Sequence, residues 1–439
     1  MKAKQKRRKF LKISSITSLG IATGGIDKLF SLELNNPVQK FNNLPVVSNF
    51  SMDNKNSIES AQSIIGLYGD WATGLTKAKL PAFSFRKAKW VNVDKWRKSA
   101  KQRIVERMAI PEIGDTPKVN IVKQYEYDGL HIEELSWQLP YGRSTEAILL
   151  KPLNVKGKLP AILAFHDHGG NKFFGTEKIT KTSDNQNVLM SEHQKEYYQG
   201  LAWANEMAKR GYVVLVSDAF TFASRRVMLQ DVPEQMRNKL SDPNINNREA
   251  IAAYNKWAGE HEHVMAKSLF SAGTTWPGVF FAEDKIALDI LCAREDVDLN
   301  RIGCGGLSGG GLRTVFMGGL DPRIKCAVCV GFMTTWKDLV LHKSFTHTWM
   351  VYVPLLPNEL EFPEILGLRA PLATLVLNDE QDELYSYSEM KEAEKILSEV
   401  YSKAGAADHF TCSYYPGPHK FDSKMQTEAF AWFDRWLKN

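Results

Sequence analysis

Three residue types in this chain, correctly placed, would make a nucleophile of a serine. Ser308 lies in Gly303-Cys304-Gly305-Gly306-Leu307-Ser308-Gly309-Gly310-Gly311, a run composed largely of residues without side chains. Gly306 and Gly310 give it G-x-S-x-G spacing, in which the positions two before and two after the serine are small so that a strand and a helix can approach closely. A helix starting just after such a serine presents free N–H groups where negative charge would develop.

A serine hydroxyl is too weak an acid to ionise at neutral pH, so this chemistry also needs a base and a carboxylate to orient it. The order to look for after the serine is acid, then histidine. His419, in Pro416-Gly417-Pro418-His419-Lys420-Phe421, sits in a rigid turn between the last expected strand and the last helix. His409, its nearest rival, falls at a strand start. The acid should come from Asn378-Asp379-Glu380-Gln381-Asp382-Glu383-Leu384-Tyr385. Asp382 is favoured because the turn needs a few residues to bring a side chain back toward His419, and Asp379 is the alternative.

A second donor for an oxyanion should follow an earlier strand. Phe165-His166-Asp167-His168-Gly169-Gly170 fits, since paired glycines let backbone N–H groups come close to a substrate oxygen. His166-Asp167-His168 could also suit a metal, but no third or fourth ligand stands at a recognisable spacing, so neither metal nor cofactor is expected.

Short apolar strands and helices must carry these loops. Val119–Tyr127, His131–Gln138 and Thr145–Leu150 read as an antiparallel entry into a sheet. Strands follow at Ala161–Phe165, Tyr212–Ser217, Arg301–Gly305, Cys326–Val330, Thr374–Leu377 and Phe410–Tyr414. Helices fall at Leu201–Arg210, Phe281–Arg294, Leu312–Leu320, Glu389–Lys403 and Met425–Leu437, and Val297 to Asn300 reads as a turn. That alternation implies crossover connections and a mainly parallel sheet with helices on both faces. Ahead of it, Ser57–Leu67 and Val93–Met108 have helical periodicity, with an irregular segment at Leu80–Phe85 between them. Cys326 and Cys329 have redox-motif spacing, but three residues apart on a strand they face opposite sides and read as core thiols.

Together Ser308, Asp382, His419, the His-Asp-His-Gly-Gly loop and the Ser-Gly-Gly-Gly elbow resemble the α/β-hydrolase superfamily, near its dienelactone hydrolase-like and acetyl xylan esterase-like bacterial members. The resemblance covers about residues 115–439. It implies that Ser308 is the nucleophile, His419 the general base and then acid, and Asp382 the orienting acid. It also implies that the backbone N–H groups of Gly309 and His168 hold the oxyanion. The acid loop of such relatives commonly reads Asn-Gly-x-x-Asp, and here Asp379 replaces the glycine. The implied activity is hydrolysis of a carboxylic ester through an acyl-enzyme, on an acylated carbohydrate first and on a lactone or other small ester second.

Two interruptions, Phe222–Ser271 and Met333–Arg369, follow strand ends and could cover such a site. Phe173, Phe174, Trp276, Trp336 and Trp349 lie in segments near the expected strand ends, where aromatic faces would suit a sugar ring. Trp336 and Arg225 are the candidate substrate contacts, Arg225 equally readable as half of an ion pair.

The formal charge is +6 over 439 residues. Lys2, Lys4, Lys6, Arg7, Arg8, Lys9 and Lys12 lie among the first twelve residues with no acid between them, so the body is near neutral and offers no footprint for nucleic acid. Lys6-Arg7-Arg8-Lys9-Phe10-Leu11-Lys12, followed by a weakly apolar stretch, resembles a twin-arginine export signal. No segment is long and apolar enough for a stable transmembrane helix. The expected organisation is a signal over 1–30, a linker over 31–55, a helical extension over 56–114 and a catalytic domain over 115–439. The expected location is the periplasm or outside the cell, with the twin-arginine export machinery as partner. The reading from another class is a non-catalytic carbohydrate-binding protein on the same fold. A binding protein has no need of a strained serine, an acid and a histidine in that order.

Overall fold

The apolar runs become strands, and strand pairing lines up the loops that carry Ser308, Asp382 and His419. The computed structural model describes residues 62–75, 80–154 and 156–438; the expected signal and linker lie outside them. Residues 60–439 form one compact unit.

The unit begins with a short helix, α1 (Gly69–Leu75), and a longer one, α2 (Val93–Met108). Of the helix expected over Ser57–Leu67, residues 57–61 lie outside the described residues and 62–65 are not helical; Gly66, at φ +61°, opens a single 3-10 turn (Gly66–Tyr68) just before α1. Asn92 caps α2 by accepting the Lys95 N–H. Trp96, Ala100, Ile104 and Met108, at four-residue spacing, are fully buried. Burial of each large apolar side chain contributes about 1.5–3 kcal/mol. Arg97 donates to Leu368 O, and Arg103 and Arg107 pair with Glu359, so the expected extension shares a core with the sheet.

β1 (Asn120–Tyr127), β2 (Leu130–Trp137) and β3 (Thr145–Pro152) form the antiparallel entry, and β4 (Leu159–Phe165) opens the parallel part. Two helices, α3 (Val188–Tyr198) and α4 (Trp203–Lys209), lead to β5 (Val213–Ser217). Next come α5 (Arg248–Glu260), α6 (Glu262–Ser271), α7 (Trp276–Cys292), β6 (Val297–Leu307) and α8 (Gly309–Leu320). The chain continues through β7 (Ile324–Val330), the single turn α9 (Trp336–Asp338), α10 (Phe362–Gly367) and β8 (Ala373–Asp379). It ends with α11 (Tyr387–Lys403), β9 (Phe410–Tyr415) and α12 (Ser423–Leu437). The two starting boundaries that differ most from those expected are those of β6 and α7. β6 already starts at Val297, which pairs with Leu159. α7 starts five residues early, where Thr275 caps the Gly278 N–H and Pro277 occupies the first turn.

Among the described residues the sheet has nine strands in the order β1-β2-β3-β5-β4-β6-β7-β8-β9. The run from β5 to β9 is parallel. Alternation divides its side chains between two cores: Cys326, Val328 and Val330 of β7 face one, Ala327 and Cys329 the other. Both cysteines are fully buried and free. Because the strands run parallel, the loops after β4, β6, β8 and β9 emerge at one edge, which is the rule for ligand sites in such sheets.

Candidate active site

Ser308 is the hinge between β6 and α8, with φ 57° and ψ −117°. A residue with a Cβ is held there only when its surroundings insist on it. The Ser308 N–H donates to Val330 O and its carbonyl accepts from Leu312 N, both at 2.9 Å. The space on either side is taken: a Cβ on Gly306 would stand 2.3 Å from Phe165 O, and one on Gly310 2.4 Å from the same oxygen. Only glycine fits at these two positions, while Ser308 itself stays half-buried and lines a cavity.

His419 follows β9, and its Nδ1 lies 2.6 Å from Asp382 Oδ2. The loops that carry the pair are tied by backbone: Gln381 N–H donates to Gly417 O at 3.1 Å and Glu380 N–H to Tyr415 O at 2.8 Å. Asp382 Oδ1 accepts the Leu384 N–H, which leaves Oδ2 for the imidazole. Asp379 accepts the Lys420 N–H through Oδ2 at 3.0 Å, and its Oδ1 is buried without a partner. Burial pushes the Asp379 carboxyl up to about 7, despite that N–H and His419 nearby. Burial alone would lower His419, but the hydrogen bond and charge of Asp382, with Asp379 and Asp167 beyond, raise it above the ordinary imidazole value. His419 Nε2 is buried and has no protein partner.

Ser308, Gly309, His168 and His419 line one cavity of about 370 Å³. A Cβ on Gly309 would lie 3.0 Å from the His168 nitrogen, so the two backbones meet at its floor. Gly169 and Gly170 turn the loop away with φ of 50° and 62°. Among the described residues, neither the His168 nor the Gly309 N–H donates to a protein acceptor. The His168 ring is pinned from both sides: Nε2 lies 2.9 Å from Glu262 Oε1, and Nδ1 accepts the Gly170 N–H at 3.1 Å.

Sequence reasoning missed Glu262, His347, Tyr197 and Tyr385, which also line the cavity. Glu262, on α6, takes Lys172 Nζ at 2.8 Å, the Thr348 hydroxyl at 2.6 Å and the Trp349 N–H at 3.1 Å, so both interruptions close over the site at one carboxylate. Burial would raise its pKa, but Lys172 and His168 hold it far below the usual carboxylate range. No spacing rule links residues so far apart in the chain; the one local signal was that Glu262 and His347 lie in the two interruptions after strand ends.

Two candidate substrate contacts are corrected. Arg225 is 6% exposed, donates to Glu283 through Nε and Nη2 and to the Arg143 carbonyl, and is not part of the cavity wall. An arginine buried in a chain this size is held where a carboxylate already waits, here on α7. Its removal should strand Glu283. Arg225→Ala is therefore expected to lower unfolding stability by about 3–5 kcal/mol in urea titrations, with KM for small esters within about twofold. A KM rise of tenfold or more at unchanged stability would restore the contact role. Trp336 is also inside: its Nε1 donates to Leu360 O at 2.9 Å and its ring meets Phe362 edge-on. Phe173, Phe174 and Trp276 are likewise buried, whereas Trp349 is 37% exposed beside the cavity-lining Thr348. His409 bonds Pro371 O and packs on Trp436.

The His-Asp-His run does not converge on a point. His166 Nδ1 faces Asp167 O and Nε2 accepts the Ala219 N–H, while His168 faces Glu262. The one cluster among the described residues with ligand atoms near enough for a metal is Asp379, Asp382 and His419, where the His419–Asp382 hydrogen bond takes up the imidazole Nδ1.

A mostly parallel sheet, a positive-φ serine between β6 and α8, and acid and histidine loops after β8 and β9 define a protein of the α/β-hydrolase fold. A model of the Abhydrolase family matches residues 50–230. The chain is 27% identical over 333 residues to YtaP of Bacillus subtilis strain 168, a protein inferred to be a hydrolase, covering 74% of this chain and 96% of YtaP. Among solved structures it is similar to a Bacteroides fragilis protein inferred to be an acetyl xylan esterase, with TM-score 0.56, 17% identity, and coverage of 79% of this chain and 81% of that one. It is also similar to the glucuronoyl esterase from Solibacter usitatus, with TM-score 0.54, 14% identity, and coverage of 81% and 97%.

Proposed function

We propose that this protein is a serine esterase that removes acyl groups from carbohydrate. The observation that carries the reading is the shared cavity, where a strained Ser308 and a His419 bonded to Asp382 meet two N–H groups with no acceptor. Ser308 Oγ attacks the ester carbonyl as His419 Nε2 takes its proton, and Asp382 holds the imidazole in the tautomer that permits this. The oxyanion sits between the Gly309 and His168 N–H groups. His419 returns the proton to the leaving alcohol, and water, activated in turn by His419, hydrolyses the acyl-enzyme.

Three things support a carbohydrate substrate. The cavity is small and carries several hydrogen-bonding side chains, Trp349 offers an exposed ring beside it, and solved structures of similar fold include carbohydrate esterases. Residues 1–30 would direct export by the twin-arginine route, which would bring the enzyme to polysaccharide outside the cytoplasm. Residues 115–439 would be its catalytic domain.

The test is hydrolysis of an acetylated xylo-oligosaccharide beside 4-nitrophenyl acetate by the purified protein. The expected result is turnover of both, with kcat/KM on the sugar ester at least about tenfold higher. Turnover of the nitrophenyl ester alone would keep the serine mechanism and move the substrate to lactones or other small esters. Inertness toward both would favour the binding-protein reading.

A further inference from the structure

The serine-esterase reading uses the His168 N–H as a donor but leaves open what aims it. That N–H belongs to the Asp167–His168 peptide unit, and in a trans peptide N–H and C=O point in opposite directions. Whatever grips the Asp167 carbonyl therefore aims the His168 N–H. Two groups grip it from inside the protein: Lys178 Nζ at 2.8 Å and His166 Nδ1 at 3.0 Å. Lys178 Nζ also donates to His168 O at 2.9 Å, so one ammonium holds the carbonyls on both sides of the His168 α-carbon.

Lys178 is fully buried. A lysine is among the residues least often found without exposure, and it stays charged there only with partners. It lies 3.7 Å from Asp167 Oδ2 and 4.9 Å from the centre of the Phe222 ring. No substrate can reach it, so it makes no catalytic contact. Its chain position is explained locally, since the turn Thr176–Lys178 lies just past the oxyanion loop and Asp218 accepts the Thr176 N–H.

We propose that Lys178 is a positioning residue for ester hydrolysis: its buried ammonium, bound to the Asp167 and His168 carbonyls, fixes and polarises the peptide whose N–H receives the oxyanion. This rests on the serine-esterase reading and adds to it the residue that pre-organises one donor. Donors set before the reaction need no rearrangement as charge develops, which is where such sites gain their advantage. Burial lowers Lys178 to about 8, with Asp167 opposing, so the ammonium persists at neutral pH.

The experiment compares Lys178→Met and Lys178→Gln with the wild type, with kcat counted per Ser308 labelled by a fluorophosphonate. Removing a whole oxyanion donor costs about 10²- to 10³-fold, so misaiming one should cost about 10- to 100-fold. The expected signature is a kcat loss of that size with KM within about threefold. Ki for phenylboronic acid, a tetrahedral mimic, should rise by the same factor as kcat/KM falls. A folded variant that loses kcat but keeps its Ki, or keeps both, would overturn the proposal, as would failure of both variants to fold in thermal melts. Wild-type protein that neither labels at Ser308 nor binds the boronate would instead overturn the underlying serine reading.

Discussion

Ser308→Ala should lower kcat/KM for 4-nitrophenyl acetate by about 10⁵- to 10⁶-fold while leaving the fold intact. The size follows from the division of labour in such sites: without the nucleophile the covalent route is closed, and what remains is the catalysis that pre-aimed N–H donors and binding lend to water. The intact fold follows from the structure. The Ser308 backbone is held by Val330 O and by the Leu312 N–H, and alanine keeps the Cβ, so the strain at φ 57° is unchanged. A change in stability within about 0.5 kcal/mol is expected. Loss of activity together with a collapsed thermal midpoint would mean that the variant reports unfolding, and full activity in the variant would remove Ser308 from the chemistry.

Asp382→Asn should cost about 10³- to 10⁴-fold in kcat, because an asparagine amide offers Nδ1 a hydrogen and drives the imidazole into the wrong tautomer. Asp379→Asn should cost less than about tenfold. The two carboxylates stand equally near the histidine in sequence terms, but Asp382 holds Nδ1 at 2.6 Å while Asp379 is engaged with the Lys420 N–H. A pH profile separates their roles further. On the proposed mechanism neutral His419 is the active form, so kcat/KM rises with pH through the His419 pKa, and Asp382, which raises that pKa, puts the midpoint above that of an ordinary imidazole. Removing the Asp382 charge lowers the pKa, so His419 loses its proton at lower pH and the acid limb moves down as the plateau falls. Should Asp379→Asn produce the larger loss, or should the limb stay in place in Asp382→Asn, the orienting acid would be Asp379.

Both experiments bear on residues that are legible in the amino-acid sequence itself, and the reason is local. The G-x-S-x-G spacing is a steric demand within five residues, so Gly306, Ser308 and Gly310 carry their geometry in their order. Strand and helix periodicity is also local, and it places the loops after β4, β6, β8 and β9 on one edge of a parallel sheet. β7 shows how far such reasoning reaches: alternation alone puts Cys326 and Cys329 on opposite faces, and they lie in opposite cores.

Tertiary structure decided everything that depends on a distance between separate segments. Which of Asp379 and Asp382 meets Nδ1 turns on how the β8 and β9 loops are laced by Glu380 and Gln381. Arg225 read equally well as a ligand for substrate or as half of an ion pair until α7 brought Glu283 to it. Trp336 and Trp349 are the same residue type in the same interruption, yet one is roofed by Phe362 and the other remains open. Lys178 had no signal and Glu262 only its place in an interruption after a strand end, because a carboxylate that joins three segments and an ammonium that holds two carbonyls are defined by partners brought together only on folding. Local sterics are written in neighbouring letters, whereas the burial and pairing of charge are set only when distant segments pack.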